Sequence, residues 1–147
     1  MSAPELLYGT RAAEDVPASA QLAIDANPVA LSDVEVFYSL FEAPMAKVLP
    51  RLPQGLHPSV PAVLAASFWR ASASRFGAFQ FAYAGLACRT GIKPRHFVFA
   101  AWCDNPQAAA YLGANYGLAC RAAEVDVHES YDGVRGVVRE DTKDVLA

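Results

Sequence analysis

The chain has 147 residues, enough for one domain with a buried core. Hydrophobic residues make up 54% and charged residues 18%, which indicates a globular protein and excludes a disordered one. The net charge of -3 comes without a basic stripe, so we expect no nucleic-acid partner. No apolar run approaches the ~20 residues of a membrane span, and no secretory signal pattern is present. We therefore expect no membrane partner and a cytoplasmic location.

The first third of the chain contains one strand and one short helix by sequence. Residues 1–28 are rich in alanine, proline and charge, and we expect an arm with little regular structure. Residues 34–40 combine β-branched and aromatic side chains, which predicts a strand. Pro44 suits the first turn of a short helix, because its missing N–H costs nothing there. That helix ends at the prolines of a loop that extends over residues 52–61.

Alternating segments in the middle of the chain predict a sheet. After a short apolar strand at residues 63–69, residues 77–88 and 95–103 alternate and flank a glycine-containing turn, which predicts a hairpin. Three aromatic side chains share one face of residues 77–88, opposite small residues such as alanine. The aromatic face is either a pocket lining or, by default, core. The small residues leave either room for a ligand or close sheet packing.

A helix and a second hairpin follow. Asp104-Asn105-Pro106 is typical of a helix start, because an Asx side chain accepts the first N–H bonds and proline suits the first position. The alanine-rich helix runs from about residue 107 to 114. Residues 123–130 and 134–140 alternate on either side of a turn, which predicts two paired strands. We expect residues 141–147 to be an irregular polar end.

The three cysteines, Cys88, Cys103 and Cys120, support neither a disulfide scaffold nor a zinc site of the usual spacing. We interpret them as reduced, buried thiols. Cys120 is also a candidate nucleophile, but no histidine is placed by sequence to activate it, and an inert buried thiol is the favoured interpretation.

One strand face carries Glu124, Asp126 and His128 at alternate positions. Mixed nitrogen and oxygen ligands of this kind suit a metal ion, but an exposed polar strand face has the same pattern. We favour the polar face, and we expect no metal and no other cofactor.

Short motifs in a fixed order resemble the acetoacetate decarboxylase superfamily over residues 34–138. They are Gly55-Leu56-His57-Pro58-Ser59-Val60-Pro61, Gly77-Ala78-Phe79 at a strand, Cys88-Arg89-Thr90-Gly91 at a hairpin, and Asn115-Tyr116-Gly117 after the alanine-rich helix. The resemblance implies an α+β, mainly β fold with a curved antiparallel or mixed sheet, cone-like or barrel-like, and a few short helices. We expect residues 1–147 to form a single domain of this type.

The resemblance also implies what this chain lacks. Family decarboxylases use a buried lysine amine that forms a Schiff base with a keto acid. Two alignments place that lysine at Leu118-Ala119 or at Cys120-Arg121, and neither pair contains a lysine. Phe81 stands where the family has a carboxylate, and Ser32-Asp33 where it has a carboxylate-binding arginine. We therefore do not expect Schiff-base decarboxylation.

The family fold continues with further strands, so we expect its C-terminal part to be missing after Glu140, as in a minimal version of the fold, a fragment or a subunit completed by a partner. A sheet that is left open at an edge is prone to association, and we expect a homo-oligomer.

Two functions from different classes follow. The first is an acetoacetate decarboxylase-like protein that binds a small keto or hydroxy acid. Whether it is an enzyme stays open; if it is active, we expect lyase-type chemistry, such as hydration, dehydration or enolisation. The alternative is a non-catalytic small-molecule-binding or oligomeric assembly domain on the same scaffold.

Seven residues are candidates for the site. Arg121 and His57 would act as electrostatic stabilisers in catalysis. For Arg121 the alternative is a surface ion pair with Glu124, and for His57 a bond to a backbone carbonyl. The ligand-binding candidates are Phe79, Phe81, Tyr83, Tyr116 and Cys120.

Overall fold

Strands make up most of the structure, a computed structural model that describes residues 7–15, 22, 24–25 and 27–147. The helices are α1 (Met45–Val48) and α2 (Pro106–Tyr116), and short 3-10 turns occupy Ala13–Asp15 and Leu49–Arg51. The expected α+β, mainly β class is thus confirmed. No helix in these ranges is long and apolar enough to cross a membrane. The strands are β1 (Ser32–Glu42), β2 (His57–Pro58), β3 (Val63–Ala73), β4 (Phe79–Thr90), β5 (Lys93–Cys103), β6 (Cys120–Ala122), β7 (Glu124–Ser130), β8 (Gly133–Glu140) and β9 (Lys143–Leu146).

The strands form two sheets. One has six strands in the order β1-β3-β4-β5-β6, with β2 paired to β4, and the other has the order β7-β8-β9. β5 and β6 are parallel, whereas β7 and β8 are antiparallel, as are β8 and β9. The expected mixed pairing is confirmed, and its closure into a cone or barrel stays a prediction.

The chain divides into two compact units. The first unit contains residues 7–15, 40–65 and 85–99 of the described chain, and the second contains the described residues of 22–39 together with 66–84 and 100–147. Strands β1, β3, β4 and β5 each contribute residues to both units.

The core of the first unit joins its helical turns to its strands. Val48, Leu52, Leu86 and Cys88 are each at most 5% exposed and pack together. The described N-terminal residues bond to this unit: the Gly9 N–H donates to the Leu56 carbonyl at 2.9 Å. Residues 7–15 of the predicted arm thus have one 3-10 turn and loop contacts, whereas residues 1–6, 16–21, 23 and 26 lie outside the described residues.

The second unit has two apolar clusters, and the faces of β4 separate them. Phe79 and Phe81 belong to a cluster that includes residues of α2, whereas Ala82 and Ala84 pack in a cluster with Phe68. The alternation predicted for this strand is therefore confirmed. The small residues on the second face of β4 allow close packing and do not leave an open space.

Helix α2 begins and ends as its sequence indicates. The Asn105 Oδ1 accepts from the backbone N–H groups of Gln107 and Ala108 at 2.9 and 3.0 Å. Gly117 ends the helix in a left-handed conformation with φ of 69°, which a residue with a side chain rarely adopts. The chain then turns directly into β6.

Three strands were missed by the sequence interpretation, and one of them is the two-residue β2 inside the loop predicted for residues 52–61. The expectation of an irregular end at residues 141–147 is wrong, because β9 pairs with β8 there. The two turn residues, Asp141 and Thr142, both have positive φ, as a two-residue hairpin turn requires, but neither is glycine. The three-residue β6 is too short to show an alternating pattern.

Candidate functional site

Arg121 lies in a cleft of about 590 Å³ in the second unit. One wall is formed by residues 121–124, at β6 and the start of β7, and the other by residues 139–142, at the end of β8 and its turn. Pairing of β7 with β8 places Glu124 opposite Arg139 and so fixes the two walls relative to each other.

The Arg121 side chain is held by two partners. Its Nε lies 3.1 Å from the Glu140 Oε1, and its guanidinium carbon lies 5.0 Å from the centre of the Trp102 ring. Trp102 is buried, and its indole N–H donates to the same Glu140 oxygen at 2.6 Å. The ion pair and the cation–π contact thus set the direction of a side chain that is still 56% exposed.

The ion pair expected between Arg121 and Glu124 is wrong. Glu124 pairs instead with Arg139, whose Nη1 lies 3.0 Å from its Oε1. The physical reason is the strand register, because Glu124 and Arg139 face each other across the β7–β8 pair. Arg139 also contacts Asp144, at 3.0 Å.

Four of the five ligand-binding candidates share one apolar cluster. Phe79 and Phe81 are buried in it, and the half-buried Tyr83 and Cys120 pack against it. Tyr116 stands apart: it is exposed and contacts Tyr111 edge-on, with the ring centres 6.2 Å apart.

The two possible lysine positions of the family motif face the same apolar surroundings. Leu118 packs against this cluster as Cys120 does, so both alignments place one residue there. The three lysines of the chain are elsewhere and exposed: Lys47 in α1, Lys93 at the start of β5 and Lys143 at the start of β9.

Burial raises the pKa of the Cys120 thiol to about 11, and the neighbouring Cys103 adds to the shift. The thiol is therefore protonated at neutral pH, and a protonated thiol is a poor nucleophile. This supports an inert thiol rather than a catalytic one.

His57 lies in the first unit, in β2, and is half-buried. Its Nδ1 lies 3.0 Å from the Leu7 carbonyl oxygen, and its ring centre lies 4.1 Å from that of Tyr8. A carbonyl only accepts, so the Nδ1–H donates, and the neutral ring keeps Nε2 as its acceptor. This bond to a backbone carbonyl matches the alternative given for His57. The residue does not line the cleft of Arg121.

Within the described ranges, no three His, Cys, Asp or Glu side chains are close enough to hold a metal ion. On the polar face of β7, Glu124 and His128 instead face arginines of β8, Arg139 and Arg135.

Sequence reasoning did not find Trp102 and Glu140 as partners of Arg121. Trp102 lies 19 residues before Arg121, and Glu140 lies 19 residues after it. No local sequence pattern indicates contacts over such a separation. Only the parallel pairing of β5 and β6, in which Trp102 faces Arg121, brings the first two together.

Solved structures of similar fold are acetoacetate decarboxylases. The acetoacetate decarboxylase of Legionella pneumophila gives a TM-score of 0.71 at 20% identity, covering 88% of this chain and 52% of its own. A second acetoacetate decarboxylase structure gives a TM-score of 0.70 at 13% identity, covering 83% of this chain and 50% of its own. No protein-family model matches the chain, and neither does any curated protein. The chain has an acetoacetate decarboxylase-like fold and spans about half the length of these structures.

Proposed function

We propose that this chain uses the acetoacetate decarboxylase-like fold to bind a small keto or hydroxy acid through Arg121, without forming a Schiff base. The observation that carries the proposal is the Arg121 guanidinium held in a cleft between Trp102 and Glu140.

The geometry of Arg121 suits a ligand carboxylate. Its ion pair with Glu140 joins the Nε to one carboxylate oxygen. In the strongest arginine–carboxylate pairs, two N–H groups instead bind both carboxylate oxygens. The fork formed by the two Nη groups is the part of arginine that recognises planar oxyanions. Because Trp102 and Glu140 already orient the side chain, ligand binding would restrict little further motion.

The charges of the cleft set the expected affinity. Glu124 is neutralised by Arg139, and Glu140 by Arg121, which leaves Asp141 as a further acidic residue of the lining. The ionisable side chains of the lining therefore carry one net negative charge, so a bound monoanion would depend on short-range bonds to the Arg121 guanidinium for its affinity. The acidic oxygens can accept a hydrogen bond from a ligand hydroxyl, which favours a hydroxy acid or the enol form of a keto acid.

The residues present argue for chemistry without an amine. No lysine lines the cleft, and all three lysines of the chain are exposed, whereas Schiff-base catalysis needs an amine kept neutral by burial or by a neighbouring cation. If the chain is an enzyme, Arg121 would stabilise negative charge that develops on the acid during hydration, dehydration or enolisation. His57 stays a separate candidate, tested by His57→Ala with the same ligands.

The test is a titration with pyruvate and with lactate, followed by amide chemical shifts, with acetone as a neutral ketone control. Arg121→Gln should remove the shifts of residues 121–124 and 139–142. Arg135→Gln is the matched control, because Arg135 is an exposed arginine of β8 that does not line the cleft. Equal binding by the Arg121→Gln variant and the unchanged protein would contradict the proposal.

An assembly domain is the second candidate, and the predicted homo-oligomer belongs to it. The observation that favours it is a row of exposed apolar side chains on β1, at the edge of the six-stranded sheet. Sedimentation velocity over a range of protein concentrations tests it, and a monomer at every concentration would contradict it.

A further inference from the structure

Strand β1 combines an exposed edge with an exposed apolar face. It ends the strand order of its sheet, where β3 is its neighbour among the described strands. Val34, Val36 and Tyr38 alternate along it and are 39%, 50% and 44% exposed. On the other face, Phe37 packs against the core cluster of the second unit and stacks on Phe68 at 5.9 Å. One face is therefore covered, and the other presents three large apolar side chains in a row.

An edge of this kind is usually protected. Proteins place lysine, proline or a bulge on edge strands, because unpaired N–H and C=O groups pair with other chains. Asp33 has a positive φ of 48°, so the regular part of the edge begins after it, and residues 34–39 contain neither lysine nor proline. The segment is long enough to pair, since a mean strand has about 5–6 residues.

We propose that residues 34–38 of β1 pair antiparallel with the same residues of a second copy of this chain, with Val36 opposite Val36 of the other copy. The inference rests on the assembly alternative given above and deepens it by naming the surface and the register. The pairing would extend the sheet across a two-fold axis and cover both apolar rows.

The order of residues about Val36 is what points to a second copy. In this register Val34 faces Tyr38 of the other copy, so apolar side chains meet on the exposed face. On the other face, Glu35 would stand opposite Phe37 of the second copy, so no two acidic groups are directly opposed. Cross-strand pairs of this kind stabilise a sheet, whereas like charges directly opposite destabilise it.

Charge disfavours one neighbouring register. Centring the pair on Glu35 would place two Glu35 carboxylates directly opposite each other. Sliding one strand by a single residue against the other would put the apolar rows of the two copies on opposite faces of the sheet. Arg70 of the same copy, whose Nη2 lies 2.5 Å from the Glu35 carboxylate, weakens the repulsion between the two carboxylates. An interface in which the same patch meets itself is the isologous contact that closes a symmetric dimer.

Cysteine cross-linking tests the surface and the register together. Directly opposite residues of an antiparallel pair have Cα atoms about 4.5–5.5 Å apart, within reach of a disulfide. Val36→Cys should therefore give a covalent dimer under mild oxidation. Val34→Cys alone should not, but mixed with Tyr38→Cys it should.

Val134 offers a matched control, because it is a valine of β8 with a similar exposure of 43%. Val134→Cys should give no more dimer than the unchanged protein, which carries the three native thiols. In sedimentation, Val36→Lys should weaken self-association at least tenfold, whereas Val134→Lys should leave it unchanged.

The outcomes separate the two levels of the proposal. A monomeric unchanged protein would overturn the assembly alternative and this inference with it. An oligomer in which Val36→Cys cross-links no better than Val134→Cys would overturn this surface alone. Cross-linking between Val36→Cys and Tyr38→Cys, without self-linking of Val36→Cys, would overturn the register.

Discussion

Replacing Gly136 by alanine should destabilise the second unit, because the new methyl group has no room. A Cβ at Gly136 would stand 2.6 Å from the Cγ and Cδ2 of Phe68 and 2.8 Å from its Cδ1. Carbon atoms in contact are normally about 3.5–4.0 Å apart, so the shortfall is roughly 1 Å. Three ring atoms are affected at once, and the ring must therefore move as a whole.

The surroundings of Phe68 resist that movement. The ring is 2% exposed and packs in a cluster with Val125 and Val138. Overpacking of a buried site costs about 1–3 kcal/mol. For a chain of this length each kcal/mol lowers Tm by roughly 2–4 °C, so Gly136→Ala should lower Tm by about 2–12 °C.

The assay is thermal and urea unfolding followed by circular dichroism, with Gly113→Ala as the control. A Cβ at Gly113 would lie 3.7 Å from the nearest atom outside its own helix, and alanine should stabilise α2 by up to about 1 kcal/mol. A shorter side chain, Phe68→Leu, should relieve the clash, so the double variant should lose less stability than the sum of the single variants. Unchanged stability of Gly136→Ala, or strict additivity with Phe68→Leu, would refute the packing argument.

Three further outcomes follow from single contacts. Asn105→Ala should cost about 1–2 kcal/mol in urea unfolding, because two helical N–H groups of α2 lose their acceptor. Asn105→Asp keeps the acceptor but loses the Nδ2–H donor to the Phe76 carbonyl at 3.0 Å, so it should recover only part of this loss; unchanged stability of Asn105→Ala would contradict the capping role. At pH 8, Cys120 should alkylate about 100-fold more slowly than a thiol with the ordinary cysteine pKa of 9.0. The alkylation rate of Cys120 should rise with pH until about pH 11. A rate that reaches its plateau below pH 9 would contradict the buried thiol. Because folding raises this pKa, its contribution to stability is present below pH 9 and is lost as pH rises through about 11. Trp102→Phe keeps a ring beside Arg121 but removes the N–H bond to Glu140. Pyruvate binding in the titration should therefore weaken several-fold. Unchanged affinity for pyruvate would contradict the positioning role of that bond.

The sequence predicted the parts of the fold whose signals are local. Alternation placed Phe79 and Phe81 on one face of β4 and Ala82 on the other, and the clusters confirm it. Asn105 and Pro106 marked the start of α2, because capping needs only neighbouring residues. The motif order led to the acetoacetate decarboxylase-like fold, which the solved structures bear out.

Most of the parts that were missed depend on contacts far apart in the chain. The partner of Arg121 is Glu140 and not the nearer Glu124, because strand register, and not distance along the chain, decides which side chains meet. The turn before β9 carries positive φ at Asp141 and Thr142, where glycine would have signalled it. The carbonyl that bonds His57 belongs to Leu7, 50 residues away.

The central claim is that this chain forms no Schiff base with a keto acid, and reductive trapping tests it most directly. The protein is mixed with acetoacetate, treated with borohydride and weighed intact by mass spectrometry, with an acetoacetate decarboxylase that has its lysine as the positive control. We predict a covalent adduct on the control enzyme and an unchanged mass for this chain, because its three lysines are exposed and none lines the cleft. A stoichiometric adduct on any lysine of this chain would contradict the account.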